Sequence, residues 1–343
     1  MSSSTFSSNE TRLRVAPCED HRGPLSETPK RQGRPLRATV AKYLLFLAVF
    51  AAGDQVLSRF LARGLERSYG MDEPAQVLCV GHSHTALGID ASGLSERLAL
   101  RVAKFALNGA NAADRLTMIR HYIENRPSDV KVIVYDVDAH TFTGQGLSLN
   151  SYALFYPFMD SPLVRGYVRR AAPPSAYWIR RLIRLSRFDL NSCNASVRGW
   201  LRLDSNLKRG TLDVARLKQD IERGEVRPIS FDQECIDYVE QTLDFISRRG
   251  IHCVLLYIPT VDLFNQAAGE DYDKAIARLR SYAEKYDRVT FLDYNILFAH
   301  RHELFYDPIH LNPEGRAVVT QQLALDLSRM LGSGAYARGE RTR

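Results

Sequence analysis

Five short apolar runs alternate with helix-like stretches between residues 75 and 331. The runs are AQVLCVG (75–81), VAKFAL (102–107), VKVIVYDV (130–137), HCVLLYIP (252–259) and VTFLDY (289–294). They are apolar throughout, which is typical of strands buried on both faces of a sheet. Apolar residues at helical spacing lie at 112–126, 232–249, 271–286 and 313–331. This alternation predicts an α/β fold with a doubly wound, mainly parallel five-stranded sheet and right-handed crossovers.

The first 60 residues have a different pattern. Residues 1–37 are rich in Ser, Pro, Arg and Glu, which predicts a disordered basic tail. Residues 38–60 contain the run YLLFLAVFAAG and reach the length of a membrane span, about 20 residues, if the Lys42 side chain extends to the near interface and Asp54 lies at the far one. We interpret them as a transmembrane signal-anchor helix; a cleaved signal peptide and a buried helix are the alternatives. The basic residues before the span indicate a cytoplasmic tail and an extracytoplasmic domain.

The alternating pattern is interrupted once, so we expect a domain in two parts, 70–143 and 229–331. Residues 144–228 are aromatic and rich in arginine, and their helical spacing predicts an inserted helical cap over the carboxyl ends of the strands. A subdomain that only packs against the sheet is the alternative. Residues 332–343 are expected to form a disordered C-terminal tail.

Charge and cysteine usage narrow the function classes. The net charge is +7, but residues 161–210 alone carry eleven Lys/Arg against two Asp/Glu, a local balance of +9. Such a block suits a membrane-facing or polyanion-facing surface, and no recognition signature for nucleic acid accompanies it. An anionic glycan bound by Arg180, Arg181, Arg184 and Arg187 is one hypothesis. The five cysteines are scattered and odd in number, which predicts free thiols.

Two short motifs carry candidate chemistry. GHSH (81–84) follows the first predicted strand, and DPIH (307–310) follows the last. Because chemistry in parallel sheets collects beyond the carboxyl ends of the strands, Ser83, Asp307 and His310 are expected to meet there. Asp307 would orient His310, and His310 would accept the proton of a nucleophilic Ser83. Taken singly, each motif also suits a turn or a helix cap.

The segments VGHSHTALGID and DPIHLNPEGRAVV resemble the first and last blocks of the SGNH (GDSL-like) hydrolase superfamily. The resemblance covers residues 75–330 except the insertion. The His-Ser-His variant and the membrane-anchored layout look most similar to extracytoplasmic members that act as O-acetyltransferases or esterases. The resemblance implies a flavodoxin-like sheet, no cofactor, and a triad of Ser83, Asp307 and His310.

The middle blocks of that superfamily are less faithfully matched. FALNGANAAD (105–114) resembles the second block, which implies an oxyanion hole formed by the backbone amides of Ser83 and Gly109, with the side chain of Asn111 or Asn108 as a further donor. The third block, Gly-x-Asn, is replaced by VYDVDAHTF (134–142). We expect His82, His84 and Asp138 to line the pocket.

Two metal-dependent alternatives use the same region. Asp136, Asp138 and His140 resemble the Asp-x-Asp of Mg²⁺-dependent phosphatases with an aspartate nucleophile. Imidazoles also suit zinc, so a site could be built from His82, His84, His140 and His310. The phosphatase pattern lacks the downstream acidic pair and lysine motif of its class, and histidines on separate loops are more often surface or turn residues, so no metal is expected.

The sequence therefore favours a serine esterase or O-acyltransferase that acts on acyl esters of a cell-surface glycan through an acyl-enzyme. We expect a single-pass protein of a bacterial-type inner membrane with a periplasmic domain, and a membrane-bound acyl-donor partner remains open. The alternative from another class is a catalytically inactive, membrane-tethered component that binds or assembles glycan.

Overall fold

The computed structural model describes residues 36–125, 130–144, 150–203 and 207–339. Five strands form one parallel sheet in the order β2-β1-β3-β4-β5, which is the flavodoxin-like order. They are β1 (Val77–Gly81), β2 (Val102–Ala106), β3 (Val132–Val137), β4 (His252–Tyr257) and β5 (Val289–Asp293). All five lie within the apolar runs identified in the sequence, so the predicted fold class is confirmed.

Helices lie between and around the strands. They are α1 (Leu36–Ser68), α2 (Ser83–Gly88), α3 (Ala91–Leu98), α4 (Ala112–Asn125), α5 (Pro162–Ala171), α6 (Pro174–Leu182), α7 (Leu190–Leu201), α8 (Val214–Glu222), α9 (Gln233–Ser247), α10 (Asp262–Ala268), α11 (Glu270–Lys285), α12 (Asn295–Phe298) and α13 (Pro313–Gly339). The four helical stretches expected from the sequence correspond to α4, α9, α11 and α13. The last of these continues to Gly339, beyond residue 331 where we expected the domain to end.

The sheet is covered on both faces, which explains why its strands are largely apolar. Leu78 and Val80 of β1 belong to a core that includes residues of α4, α9 and α11. Val77 and Cys79 point to the opposite face, where residues of α3 and α13 complete a second core. Each fully buried aliphatic side chain contributes about 1.5–3 kcal/mol relative to exposure, so both layers stabilise the same sheet.

The carboxyl ends of the strands form a rim that several loops share. The loop after β2 is tied to the end of β1, because Leu107 N–H donates to the Gly81 carbonyl at 3.1 Å. The loop before α13 is tied to the segment after β4, because Val261 N–H donates to the Pro308 carbonyl at 2.9 Å. The rim therefore places the residues after β1 beside those around 307–310.

The insertion is helical in its described residues and reaches two different places. A 3-10 helix (Ser151–Phe158) and α5 pack against each other, and α5 also packs on α4. The later part lies beside the loop before α13, since Leu212 N–H donates to the Phe305 carbonyl at 2.9 Å and α8 packs on α10. Residues 145–149 and 204–206 of the predicted insertion lie outside the described residues.

Helix α1 contains one candidate membrane span, Arg37–Ser68, with a mean hydropathy of 1.6 in its most apolar window. Only 11% of that window is buried by the protein. The helix is longer than the predicted span 38–60 and continues as far as Ser68. The chain divides into two units, Met1–Val49 and Phe50–Arg343, and the predicted tail up to residue 35 lies outside the described residues.

Candidate active site

The structure brings Ser83, His310 and Asp307 together in one line of hydrogen bonds. Ser83 Oγ lies 2.8 Å from His310 Nε2, and His310 Nδ1 lies 2.8 Å from Asp307 Oδ2. Ser83 is partly exposed, and 18% of the His310 side chain is accessible. A hydroxyl that solvent can reach is thus bonded to an imidazole whose other nitrogen is held by a carboxylate.

The turn that presents Ser83 is built around a buried aspartate. Ser83 is the first residue of α2, two positions after β1 ends at Gly81. Asp136 Oδ2 accepts hydrogen bonds from His82 N–H (3.2 Å), Thr85 N–H (3.2 Å) and the Thr85 hydroxyl (2.8 Å). A Cβ at Gly81 would lie 2.1 Å from Thr85 Oγ1, so only glycine allows this approach. Asp136 therefore holds the start of α2 against the end of β3.

Sequence reasoning missed this role of Asp136 and Thr85. The sequence pattern suggests Asp136 only for the phosphatase-like Asp-x-Asp, whereas the structure buries it fully and turns its Oδ2 to backbone N–H groups. Arg115, also fully buried, donates to the Asp136 carbonyl and was not identified at all. The available signal was a charged residue in an otherwise apolar strand, which indicates a buried partner.

Asp307 uses one oxygen for the loop and the other for the histidine. Its Oδ1 accepts from Ile309 N–H (3.0 Å) and His310 N–H (2.8 Å), an Asx-type turn. Partial burial raises the pKa of Asp307, but the bond and charge of His310 and these two N–H groups lower it more, so its pKa falls below the usual value. Asp307 therefore stays ionised while it orients His310.

The residues after His310 start α13. Asn312 Oδ1 accepts from Gly315 N–H at 3.0 Å, so Asn312 and not His310 caps the helix. A Cβ at Gly315 would lie 2.2 Å from the Leu304 carbonyl oxygen, which explains the glycine in this motif. His310 is thereby left free to face Ser83.

A second histidine–aspartate pair lies buried behind Ser83. His82 Nε2 is 3.1 Å from Asp138 Oδ2. Burial lowers the pKa of His82, but the charges of Asp136 and Asp138 outweigh it and raise the pKa overall. Burial raises the pKa of Asp138, yet the bond from His82 and that ring's charge hold the pKa well below its usual value. The raised pKa of His82 and the lowered pKa of Asp138 both favour the charged forms of this buried pair.

Protonation of His82 has a local consequence. Its Nδ1 then carries a proton and faces Asp136 Oδ2 at 3.7 Å. His84 N–H lies 3.3 Å from His82 Nδ1, which can accept this hydrogen bond only when the ring is neutral.

His84 has the opposite character. Burial and the neighbouring charge of His82 lower the pKa of His84 to about 4, so its ring is neutral at physiological pH. The ring meets His310 edge-on, with 5.5 Å between centroids. His82, His84 and Asp138 therefore lie together beside the triad, with the pKa of His82 raised and that of His84 lowered.

The histidines suggested for a zinc site are not all close together. His140 Nε2 contacts the Arg227 carbonyl at 3.2 Å, and His310 is bonded to Ser83, so the four-histidine zinc site does not form. Ligand atoms of His82, His84 and Asp136 lie within 4.8 Å of one another, wider than the roughly 3.4 Å between ligands of tetrahedral zinc. Those three residues could hold a metal only after moving closer. The buried guanidinium of Arg115 on Asp136 opposes a further cation.

The residues expected to form the oxyanion hole are only partly in place. Among the described residues, no acceptor bonds to Ser83 N–H at the start of α2. Gly109 has φ +79° in a turn closed by Ala110 N–H and the Leu107 carbonyl, a conformation that favours glycine. Asn108 precedes it and is exposed.

The expected role of Asn111 is not supported. Its Oδ1 accepts from Asp114 N–H at 2.9 Å, its N–H donates to Asp114 Oδ2, and its side-chain amide donates to Ser151 Oγ at 3.3 Å. Asn111 therefore caps α4, a task that the sequence pattern Asn-x-x-Asp could have indicated.

One cavity of about 640 Å³ lies away from the triad. It is lined by Ala62, Glu66, Met71, Pro74, His121, Tyr122, Pro157, Phe158, Asp160, Ser161 and Pro162. None of these residues belongs to the line of hydrogen bonds at Ser83, so the cavity is separate from the candidate site.

The fold and the site together have the features of a serine hydrolase: a parallel sheet, a serine at the start of a helix after the first strand, and a histidine–aspartate pair before the last helix. No protein-family model and no curated protein matches the sequence. Solved structures do. They include a protein named as lipolytic, of the G-D-S-L family, from Desulfitobacterium hafniense (9% identity, TM-score 0.37, 73% of this chain and 98% of that one).

A GDSL-like lipase from Bacteroides thetaiotaomicron is similar at 9% identity and a TM-score of 0.36, over 78% of this chain and 99% of its own. A protein named as an acylhydrolase, from Bacteroides fragilis, matches at 11% identity and the same TM-score of 0.36, over 78% of this chain and 96% of its own. These names come from the group of hydrolases that the sequence motifs resemble. The fold assignment rests on the sheet order, and the site assignment rests on its hydrogen bonds.

Proposed function

We propose that this chain is an SGNH-type serine esterase or O-acyltransferase that works through an acyl-enzyme. The observation that carries the proposal is the continuous line from Asp307 through His310 to Ser83, with 2.8 Å at each step. Serine is a weak nucleophile on its own, and this arrangement supplies both the base and the group that orients it.

The reaction follows from the geometry. Ser83 Oγ attacks the ester carbonyl while His310 Nε2 takes its proton, and ionised Asp307 stabilises the imidazolium. The oxyanion is stabilised by N–H groups of Ser83 and Gly109, with Asn108 as a candidate side-chain donor. His310 then protonates the leaving alkoxide, and the acyl group stays on Ser83. Water or a sugar hydroxyl, deprotonated by His310, attacks the acyl-enzyme and restores the free serine.

The sequence lacks the Gly-x-Asn of the third superfamily block. The buried pair of His82 and Asp138 behind Ser83 affects whether catalysis is possible without it. Asp138 lies where the resemblance places an asparagine, and a bare carboxylate there would oppose a developing oxyanion. His82 lies 3.1 Å from Asp138, and its raised pKa favours the protonated ring that balances that carboxylate. Neutral His84 adds no net charge of its own. The site thus keeps an electrostatic balance in which an oxyanion can form.

The same observations argue against the phosphatase alternative. A phosphatase aspartate must present an open oxygen to phosphorus and to Mg²⁺. Asp136 is fully buried and its Oδ2 accepts three hydrogen bonds from α2, while Asp138 is bonded to His82. Neither carboxylate is placed for that chemistry.

The substrate and location are also part of the proposal. We assign acyl esters of a cell-surface glycan to the site, with α1 as the anchor in a bacterial-type inner membrane and the domain in the periplasm. The candidate span in α1 and the basic residues before it support this placement. A membrane-bound partner would supply the acyl group if the reaction is a transfer.

Labelling with a fluorophosphonate tests the nucleophile. We expect the full-length protein in detergent to be labelled and to hydrolyse a small acetyl ester, and Ser83→Ala to lose both properties. Ser281→Ala is the matched control, since Ser281 is an exposed serine on α11. If neither Ser83 nor any other serine is labelled and no ester is cleaved, the tethered glycan-binding alternative is favoured. The loss of catalysis would then be attributed to the carboxylate of Asp138.

A further inference from the structure

Helix α6 turns its apolar side outward. Trp178, Ile179 and Leu182 are 57%, 50% and 76% exposed, and their spacing places them on one side of the helix. Tyr177 is buried, and Arg180 stacks on Tyr156 at 4.2 Å. This is the reverse of a helix that packs its apolar side on a core.

The exposed apolar area continues beyond α6. Ile183 directly after α6 and Leu190 at the start of α7 are 40% and 82% exposed. We call these five side chains the α6 surface: Trp178, Ile179, Leu182, Ile183 and Leu190. Several large apolar side chains exposed along one short stretch of chain are uncommon on a soluble surface and indicate a contact with a membrane or a partner.

The chain directly after Ile183 is hydrogen-bonded to α1 next to the end of its apolar run. Asp54 in α1 accepts hydrogen bonds from Arg184 N–H (2.9 Å) and Leu185 N–H (2.7 Å), directly after Ile183. Asp54 is also the first acidic residue after the apolar run that ends at Gly53. A carboxylate is costly in hydrocarbon, so the hydrocarbon layer must end at or before Asp54. The segment that Asp54 binds therefore lies at the membrane interface.

A second contact fixes the insertion to the same helix. Trp200 of α7 stacks on Phe60 of α1 with ring centroids 4.8 Å apart, and its indole N–H donates to the Phe60 carbonyl at 3.1 Å. A Cβ at Gly199 would lie 1.8 Å from the Gly64 carbonyl oxygen, so the two helices touch backbone to backbone. The contacts at Asp54 and at residues 60–64 are more than one helical turn apart along α1. Together they hold the insertion in one orientation relative to residues 54–64.

The charges near the α6 surface suit anionic headgroups. Arg59 and Arg63 are exposed on α1, and Arg181 is partly exposed on α6; no acidic partner for them lies among the described residues. By contrast Arg184 and Arg187 pair with Asp160 at 3.2 and 2.9 Å. Most of the arginines that the sequence suggested for glycan binding are thus used inside the insertion.

We propose that the α6 surface lies in the interfacial layer of the membrane that α1 spans, against a lipid surface containing anionic phospholipid. Trp178 and the aliphatic side chains enter the boundary between headgroups and acyl chains, and Arg59, Arg63 and Arg181 contact phosphates. The insertion therefore contacts the membrane interface and sets the orientation of the domain relative to the membrane. This inference goes beyond the proposed function and requires that α1 spans the membrane.

The two tryptophans of the chain make a direct test available. Trp200→Phe leaves Trp178 as the only tryptophan in the full-length protein. The protein is reconstituted into vesicles of zwitterionic and anionic phospholipid, with and without bromine on the upper acyl-chain carbons. We expect brominated lipid to reduce Trp178 emission at least about twofold, since such quenching acts at interfacial depth.

A matched control places the reporter elsewhere. Leu325 is an exposed apolar residue on α13, which covers the sheet face opposite to that of α4 and α5. In Trp178→Phe/Trp200→Phe/Leu325→Trp, emission should be the same in brominated and ordinary vesicles. Equal quenching at the two positions overturns the proposal.

Flotation of the vesicles separates the anchor from the surface. If the protein floats with the vesicles but Trp178 is not quenched, the anchor stands and the proposal fails. If Trp178 is shielded from iodide but not quenched by brominated lipid, a protein partner or a second copy covers the surface and the proposal also fails. If the protein does not float, α1 does not anchor it, and the inference falls with that premise. None of these outcomes depends on activity at Ser83.

Discussion

At the scale of single residues, Asp307 shows how one carboxylate serves two purposes. Its two oxygens face different groups, one the backbone N–H groups of Ile309 and His310 and the other the ring of His310. The loop shape and the histidine orientation therefore depend on the same side chain. An amide in this place can satisfy only one of the two demands.

Asp307→Asn should reduce kcat for ester hydrolysis by about four orders of magnitude, as loss of the orienting carboxylate does in comparable triads. An asparagine that keeps the loop bonds presents N–H to His310 Nδ1 and favours the tautomer with a proton on Nε2, which cannot accept from Ser83. Steady-state kinetics with a small acetyl ester measure the effect. Glu303→Gln, an exposed acid nearby, should leave kcat within about twofold. Unchanged kcat in Asp307→Asn would remove Asp307 from the mechanism.

His84 links the site to the pH dependence of stability. Its pKa is about 4 in the folded protein against 6.5 for an unperturbed ring, so between these values the unfolded chain binds more protons. Stability should therefore fall as pH drops from about 6.5 to about 4, by roughly 3 kcal/mol from this group. His82 acts in the opposite sense, since its raised pKa stabilises the fold at low pH and that contribution is lost as pH rises through the folded value.

His84→Gln should flatten the acid side of the profile. Denaturant unfolding of the full-length protein in detergent at pH 4.5 and 6.5 would show a smaller difference than in the parent protein. His300→Gln, at an exposed position, is the control. A profile that His84→Gln leaves as steep as before would contradict the buried neutral ring.

At the scale of elements, α2 depends on contacts beyond its own backbone. It has six residues, too few to be stable alone, and Asp136 in β3 supplies the acceptor for its first turn. The position of Ser83 is therefore set by a residue 53 positions later in the chain. Loss of that contact should loosen the nucleophile before it unfolds the sheet.

Thr85→Val should cost about 1.5–3 kcal/mol of stability, because it removes a hydrogen bond to a buried carboxylate. It should also lower kcat, since the turn that carries Ser83 loses a support. Thr117→Val is the matched control: its hydroxyl donates to the Ala113 carbonyl of its own helix, and the expected loss is about 1 kcal/mol with kcat unchanged. Equal losses of stability and of kcat in both variants would show that the hydrogen bond to Asp136 has no particular role in positioning α2.

At the scale of the whole molecule, the proposed orientation across the membrane can be tested by cysteine labelling. Cys18 lies in the N-terminal tail, whereas Cys79 and Cys253 are buried in β1 and β4. A membrane-impermeant maleimide therefore distinguishes the two sides once Cys193 and Cys235 are replaced by serine. Ser281→Cys supplies a reporter on the domain.

In spheroplasts of a bacterial host, we expect labelling at Ser281→Cys and none at Cys18 until the membrane is permeabilised, because the basic residues before α1 retain the tail in the cytoplasm. Labelling of both positions after permeabilisation controls for reactivity. Labelling of Cys18 alone in intact spheroplasts would reverse the proposed topology.

Much of the fold could be predicted from the sequence. Strands covered on both faces are largely apolar, and each of the five apolar runs contains a strand. Ser83, Asp307 and His310 could also be found, because parallel strands deliver their carboxyl ends to one rim and each motif follows a strand on the way to that rim.

Only the tertiary structure decided the partners of the remaining polar groups. Asp136 anchors α2, Asn111 caps α4 and Arg187 pairs with Asp160, although their residue types suit other tasks equally well. His82 and His84 are two positions apart in the chain, yet the pKa of His82 is raised because two carboxylates outweigh its burial, whereas burial and the charge of His82 outweigh the same carboxylates at His84 and lower its pKa. Burial and charge are properties of the neighbourhood, and residues distant in the sequence create that neighbourhood.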